Sequence, residues 1–308
     1  MSIIPRNTLL GICWAVIAIA VWSGSLVMLR LGVTTGLNAY DLTALRFGVA
    51  AVILAPVALR RGSGTNRLKP GGLIAMVVAF GAPYILLVSL AMTTAPASVA
   101  GALNPGTMAV FSVLLGRAVL GDRIGAARGF GLLLTVAGIV LFTRAGGPVV
   151  AGHLILIGTG IMWAVYGLIV RHAAVPALNA TAIVAVGSAV FYLPVYLVVL
   201  PKQVLAAPLW DVLMQAGFQG VLVSVLAIYA FNRSAELLGP VAGATMPALI
   251  PVVTLGLGFG VLGEIAEPGQ IGSAVLVTLG LVLILVGKPV MRWLQIRFQR
   301  GVIRTPRA

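Results

Sequence analysis

Charged side chains are scarce in this chain of 308 residues: they make up 8% of it, with only 6 acids, where a soluble domain carries about 25%. With 60% of its residues hydrophobic, the chain is not a water-soluble globule. The single cysteine, Cys13, lies inside the first apolar run, which excludes an intrachain disulfide and a cysteine-based metal site. The two histidines, His153 and His172, stand apart near the ends of apolar runs, without partners at metal-ligand spacing. An intramembrane enzyme needs paired aspartates, a zinc motif or a serine with a histidine in reach. None of these patterns occurs, so no catalytic residue, metal or cofactor is expected. Segments of about ten residues alternating apolar and polar are absent too, which excludes a transmembrane barrel.

Long apolar runs are what the chain has in abundance. They fall near 8–29, 39–59, 72–93, 96–116, 125–143, 152–170, 177–200, 211–231, 238–262 and 268–287, each close to the about 20 residues that cross a bilayer as a helix. The expectation is an all-α integral membrane protein with ten transmembrane helices, called spans 1 to 10. Ala18-Ile19-Ala20 has the form of a signal cleavage site, but the apolar run continues to Leu29, so a first span is expected instead. The segment from Gly258 to Gly263 has the dinucleotide spacing of glycines but no strand before it, and is read as close-packing glycine within a span.

A net charge of +14 in a soluble protein would point to nucleic acid. Here the basic residues sit in alternate loops. With the N-terminus inside, 16 of the 20 Lys and Arg lie on the cytoplasmic side, Arg30, Arg144 and Lys202 lie outside, and Arg46 falls within span 2. That bias predicts both termini cytoplasmic and no nucleic-acid partner. The sequons at Asn179 and Asn232 then face the cytoplasm and stay unused. Residues 288–308 mix Trp293, Leu294 and Phe298 with Arg297, Arg300 and Arg304, a basic cytoplasmic tail whose composition suits a separate interfacial helix on anionic lipid.

The chain repeats itself. Val99-Ala100-Gly101-Ala102 followed by Pro105 recurs 142 positions later as Val241-Ala242-Gly243-Ala244 followed by Pro247. Leu120-Gly121-Asp122 matches Leu262-Gly263-Glu264, Gly138 matches Gly280, and at an offset of 141 Trp22 with Arg30 matches Trp163 with Arg171. Two repeats, 8–143 and 152–287, each hold five spans. Five is odd, so the second enters the membrane inverted, the architecture of secondary transporters.

Trp22-Ser23-Gly24, Ala44-Leu45-Arg46-Phe47, Pro105 with Leu120-Gly121-Asp122, and Pro247 with Leu262-Gly263-Glu264 together resemble the EamA-type members of the drug/metabolite transporter superfamily, over nearly the whole chain. The resemblance implies export of small metabolites, often amino acids, across the plasma (bacterial inner) membrane through a cavity formed mainly by spans 1, 3, 4, 6, 8 and 9. Other cargo (drugs, sugars, nucleotides) stays open as the alternative, with a channel or an intramembrane enzyme behind it. The absence of an acid in span 1 counts against the small multidrug relatives, which exchange cations on a first-helix Glu. Small-molecule substrate and membrane lipid are the expected partners, and a monomer the simplest unit.

Candidate substrate-binding residues are those whose polar or aromatic side chains lie deep. Trp163 and Tyr166, three apart, share a face of span 6; Trp22 is the inverted counterpart in span 1, and Tyr84 lies within span 3. Asn104 is near midplane, with Thr245 and Met246 comparably deep in span 9, and Gln219 adds an amide in span 8 beside Gln215 and Ser224. Each could instead tie helices together. Pro105 and Pro247 deprive Gly101 and Gly243 of their helical partners and Pro251 adds a second break in span 9, so these five are candidate hinges. Arg46 could meet a carboxylate, snorkel outward or bond carbonyls; because the resembled family carries Arg here across varied substrates, a structural role is expected. Asp122 and Glu264 follow a glycine and precede the next helix, so capping is expected of both. With no carboxylate at midplane, facilitated export without a proton relay is expected.

Overall fold

The runs just described are helices in the computed structural model, which describes residues 6–60, 62, 65–238 and 246–302, with residue 6 and residues 286–302 as backbone only. Span 1 is Arg6–Thr35, span 2 Ala39–Ala58, span 4 Ala97–Leu120, span 5 Ala126–Ala145, span 6 Ala151–Ala173, span 7 Ala177–Val198 and span 10 Pro268–Val302. Span 3 is two helices, Pro70–Phe80 and Ala82–Ala91, and span 8 is one helix, Leu209–Leu238, whose middle is π-helical over Ala216–Leu226. Of span 9, Met246–Leu262 is described, opening with a 3-10 turn at Met246–Leu249. Among the described residues, nine helices are long and apolar enough to cross a membrane. Large apolar side chains such as Val52, Leu133 and Val198 stand 69–82% exposed on the flanks, a surface that lipid accepts and water does not.

The chain turns where its sequence permits a turn. Spans 4 and 9 end at Gly121 and Gly263, both left-handed with φ of 69° and 68°, and the next amide of each returns to the helix, Asp122 N to Gly116 O at 3.1 Å and Glu264 N to Gly258 O at 3.2 Å. Glycine takes that conformation without a Cβ penalty. Span 2 starts from a capping box in which the Asn38 side chain accepts from Asp41 N and Asp41 accepts from Asn38 N. Asp41, fully buried, also accepts from Tyr196 Oη at 2.7 Å and Gln203 N at 3.0 Å, tying the start of span 2 to the end of span 7.

The inverted repeat is visible as contacts that occur twice. Where spans 5 and 10 cross, a Cβ on Gly138 would lie 3.2 Å from Ser273 O, and one on Gly280 would lie 2.8 Å from Gly131 O. Adding 142 to 138 gives 280 and subtracting 142 from 273 gives 131, so the second pair is the first with the repeats exchanged. Ion pairs follow the same rule. Arg171 holds Asp122 with two bonds of 2.6 and 2.9 Å at one end of the bundle, and Arg30 holds Glu264 at 3.4 Å at the opposite end.

Two expectations change. Span 10 runs unbroken for 35 residues through Pro289, about 52 Å at the helical rise and so well beyond an about 30 Å hydrocarbon core. The beginning of the basic tail is thus a continuation of span 10 rather than a separate helix. Span 3 breaks at Gly81, because Pro83 lacks an N–H and crowds the carbonyl four residues earlier. In lipid a broken helix must find other partners for its backbone, and Ser188 Oγ of span 7 accepts from Ala82 N at 3.0 Å. Ser188→Ala is expected to leave that amide unpaired, cost about 1–3 kcal/mol and lower the melting temperature of the purified protein.

Candidate functional site

Within the bundle lies a cavity of about 320 Å³ lined by spans 1, 2, 3, 4, 6, 7, 8 and 9. Its volume is at the lower end of the about 300–1,000 Å³ typical of small-molecule sites. Trp22, Tyr84, Asn104, Pro105, Trp163 and Tyr166 all face it. These residues come from four different spans, so it is the folding of the two repeats against each other that gathers them.

One wall is aromatic. Phe80 stacks on Tyr166 with ring centres 4.5 Å apart and lies 4.9 Å from the ring of Tyr84 and 5.5 Å from that of Trp163. Phe80 is the centre of this cluster and was not singled out from the sequence. Its signal was Gly81 followed by Pro83: the break turns Phe80 and Tyr84, on separate helices, toward one space. Across the cavity Trp22 packs on Phe231 of span 8 with centres 5.3 Å apart. Trp22 and Trp163, related by the repeat, therefore each pair with a phenylalanine from another span.

The polar groups divide into those that bind helices and those that face the cavity. Asn104 is buried; its Oδ1 accepts from Tyr84 Oη at 3.1 Å and its Nδ2 donates to Thr159 Oγ1 at 2.8 Å. It touches the cavity while joining spans 3, 4 and 6. Gln219 does not line the cavity: it is fully buried, its Nε2 donates to Ser25 O at 2.9 Å, and its Oε1 accepts from Ser25 Oγ at 2.9 Å and from Arg46 at 3.1 Å. The i+5 geometry of the π-helical turn is used by Ser224, whose Oγ donates to Gln219 O at 3.1 Å; Ser224 itself lines the cavity together with Ser25. Gln215 lies outside the lining and donates to Met28 O at 2.6 Å. Met246 is buried in the 3-10 turn and is also absent from the lining, and Thr245 lies outside the described residues.

The candidate hinges have different surroundings. Gly101 is where span 4 meets span 9: a Cβ there would lie 2.6 Å from Thr254. Pro105 borders both the central cavity and a second cavity of about 520 Å³, which is also lined by Pro247, Ser112 and the Asp122 and Arg171 pair. Pro251 stands in the first turn of the helix Ile250–Leu262, where its missing N–H costs no helical bond, so the second break expected inside span 9 is instead a 3-10 to α junction. Gly243 lies outside the described residues.

The ends of the cavity differ. At the Arg30 end, Leu29, Ile85 and Val88 of the lining are buried. There Arg30 also donates to Met92 O, and the Glu264 carboxylate accepts from Ala97 N at 3.0 Å. Glu264 thus caps span 4, in the other repeat, rather than the helix that follows it. At the Asp122 and Arg171 end the lining extends to Ala177, the exposed first residue of span 7. Among the described residues, the lining carries one charged side chain, Arg46, and no carboxylate. Arg46 neither snorkels outward nor bonds carbonyls: it donates to Gln219 and lies 3.5 Å from Ser25 Oγ.

Comparison with known proteins agrees with this architecture. The model of the EamA-like transporter family matches the chain twice, over residues 9–144 and 150–286. A probable terminal-alkyne amino-acid exporter of Streptantibioticus cattleyicolor is 26% identical over 88% of this chain and 92% of its own. The uncharacterized transporter YyaM of Bacillus subtilis is 24% identical over 77% of this chain and 81% of its own. A solved crystal structure superposes on 90% of this chain and 94% of its own with a TM-score of 0.61 at 23% identity, a likeness of fold. A multi-pass bundle built twice from the same five spans, and matched by one family model in each half, belongs to the EamA-like transporter family.

Proposed function

We propose that this transporter exports amino acids, or similar small polar metabolites, by alternating access through the central cavity. The two repeats, 8–143 and 152–287, are the moving units, and one chain holds the whole cavity, so a monomer suffices. The observation that carries the proposal is the unequal closure of the cavity's two ends. Gly101 is packed on Thr254 at the Arg30 end, whereas Ser112, the repeat-related counterpart of Thr254, lines the cavity of about 520 Å³ at the other. Exchange of these two arrangements between the repeats is the motion that inverted symmetry allows.

The positive-inside bias supports a cytoplasmic position for the Asp122 and Arg171 end, both termini and the basic tail, in the plasma (bacterial inner) membrane. The cavity then faces the cytoplasm in this conformation, ready to load cargo for export. A lining that joins aromatic rings with Arg46, Ser25 and Ser224 suits a small molecule with a charged head and an apolar side chain. The name of the Streptantibioticus relative, an amino-acid exporter, supports the same substrate class. The described lining offers no carboxylate to carry a proton, which favours facilitative transport.

In proteoliposomes loaded with unlabelled amino acids, labelled amino acid outside is expected to exchange rapidly, and equally with and without a pH gradient. No exchange for any amino acid, with the protein folded and inserted, overturns the proposal. Gly101→Val overfills the contact with Thr254 by about 1–3 kcal/mol, about 5- to 150-fold in the ratio of two conformations. It is expected to slow counterflow by at least about tenfold while leaving the variant folded in a melting assay. Trp163→Ala removes part of the aromatic wall; its KM for a large apolar amino acid is expected to rise several-fold with little change in melting temperature, as measured by initial rates of counterflow.

A further inference from the structure

An isolated cation beside an apolar cavity needs a partner. Arg46 borders the central cavity, and among the described residues no carboxylate pairs with it. Three carboxylates of the bundle are committed elsewhere. Asp41 takes its bonds from Asn38, Tyr196 and Gln203, Glu264 pairs with Arg30, and Asp122 pairs with Arg171. The Arg46 guanidinium offers five N–H donors in a planar fork. Its hydrogen-bond partners are the neutral Gln219 and Ser25, both through one terminal nitrogen, its charge lies 5.9 Å from the centre of the Phe47 ring, and its Nε is buried with no hydrogen-bond partner.

We infer that Arg46 is the recognition group for the carboxylate of the transported molecule, and so selects amino acids over the corresponding amines, amides and esters. The inference rests on the amino-acid export proposed above and names the chemistry of that same site. A purely structural tie between spans 1, 2 and 8 would be served by a neutral donor, whereas a guanidinium with no carboxylate among its described partners is an uncompensated charge, which is destabilising in the interior. A carboxylate in the cavity gives the guanidinium, which lines it, a charged acceptor and a charge-assisted bond, the strongest that a guanidinium makes. Gln219 serves as a positioning residue: with Nε2 held by Ser25 O, its Oε1 is turned to Arg46. The α-ammonium finds no carboxylate in the described lining and is met instead by ring faces such as that of Tyr84. The aromatic wall receives an apolar side chain.

The test uses the full-length protein in proteoliposomes, with counterflow of labelled L-phenylalanine as the probe. Unlabelled L-phenylalanine and L-leucine are expected to compete. Phenethylamine, phenylalaninamide and phenylalanine methyl ester, which keep the ring and amine but lack the carboxylate, are expected to compete at least tenfold more weakly. Arg46→Gln is expected to raise the KM for phenylalanine tenfold or more and to abolish the discrimination against phenylalaninamide, with Arg46→Lys between the two. Equal competition by the amide in the unsubstituted protein overturns the inference while leaving amino-acid export standing, and that arm decides the question even if Arg46→Gln does not fold. A folded Arg46→Gln with unchanged KM and unchanged discrimination also overturns it. Absence of counterflow by every amino acid overturns the export proposal and this inference together.

Discussion

Five spans per repeat force the second copy of the fold to cross the bilayer upside down, and each contact between the repeats can then exist in two versions at opposite faces. The crossing of spans 5 and 10 shows the rule at its strictest. Gly138 against Ser273 and Gly280 against Gly131 are one contact written twice, and small residues are needed at both because backbones approach there without side chains between them. The two cross-repeat ion pairs obey the same rule at the ends of the bundle. A cavity on such an axis can in principle be reached from either side, and which side is open depends on which version of each contact is closed.

Lipid adds the second constraint. A helix in hydrocarbon must satisfy its own backbone, so any irregularity has to be supported by neighbouring protein. Span 3 breaks at Gly81 because Ser188 receives the freed amide, and span 8 passes through a π-helical stretch that Ser224 helps to close. Both irregular stretches border the cavity. The break brings Phe80 and Tyr84 to one surface, and the π-helical turn carries Gln219 to the back of Arg46 while Ser224 reaches the front. Departures from regular helix are concentrated where a ligand would sit, as is common for π-helical insertions.

Polar side chains in the interior accordingly do two jobs. Asn104 and Gln219 spend their amides on other helices, and what they leave to the cavity is limited by those bonds. Arg46 differs because its donors outnumber the protein acceptors around it. This surplus, rather than depth in the membrane, separates a group poised for a ligand from one that holds the bundle together.

An all-α membrane bundle, its duplication and the glycine turns that end spans 4 and 9 were legible in the sequence. These follow from local properties: apolar length, charge between runs, and a register kept over two halves. The sequence also marked Trp22, Tyr84, Asn104, Trp163 and Tyr166, which tertiary folding then brought to one cavity. Phe80 was not legible, since its role depends on a helix break whose partner, Ser188, lies 106 residues away. The pairing of Glu264 with Arg30 and with the start of span 4 was equally hidden, because a carboxylate after a glycine reads locally as a cap for its own next helix. The placement of Gln219 behind the cavity wall, and of Arg46 in it, was decided only when spans 1, 2 and 8 packed together. Periodicity tells which residues share a helix face, but a face becomes cavity or contact only when another helix is laid against it.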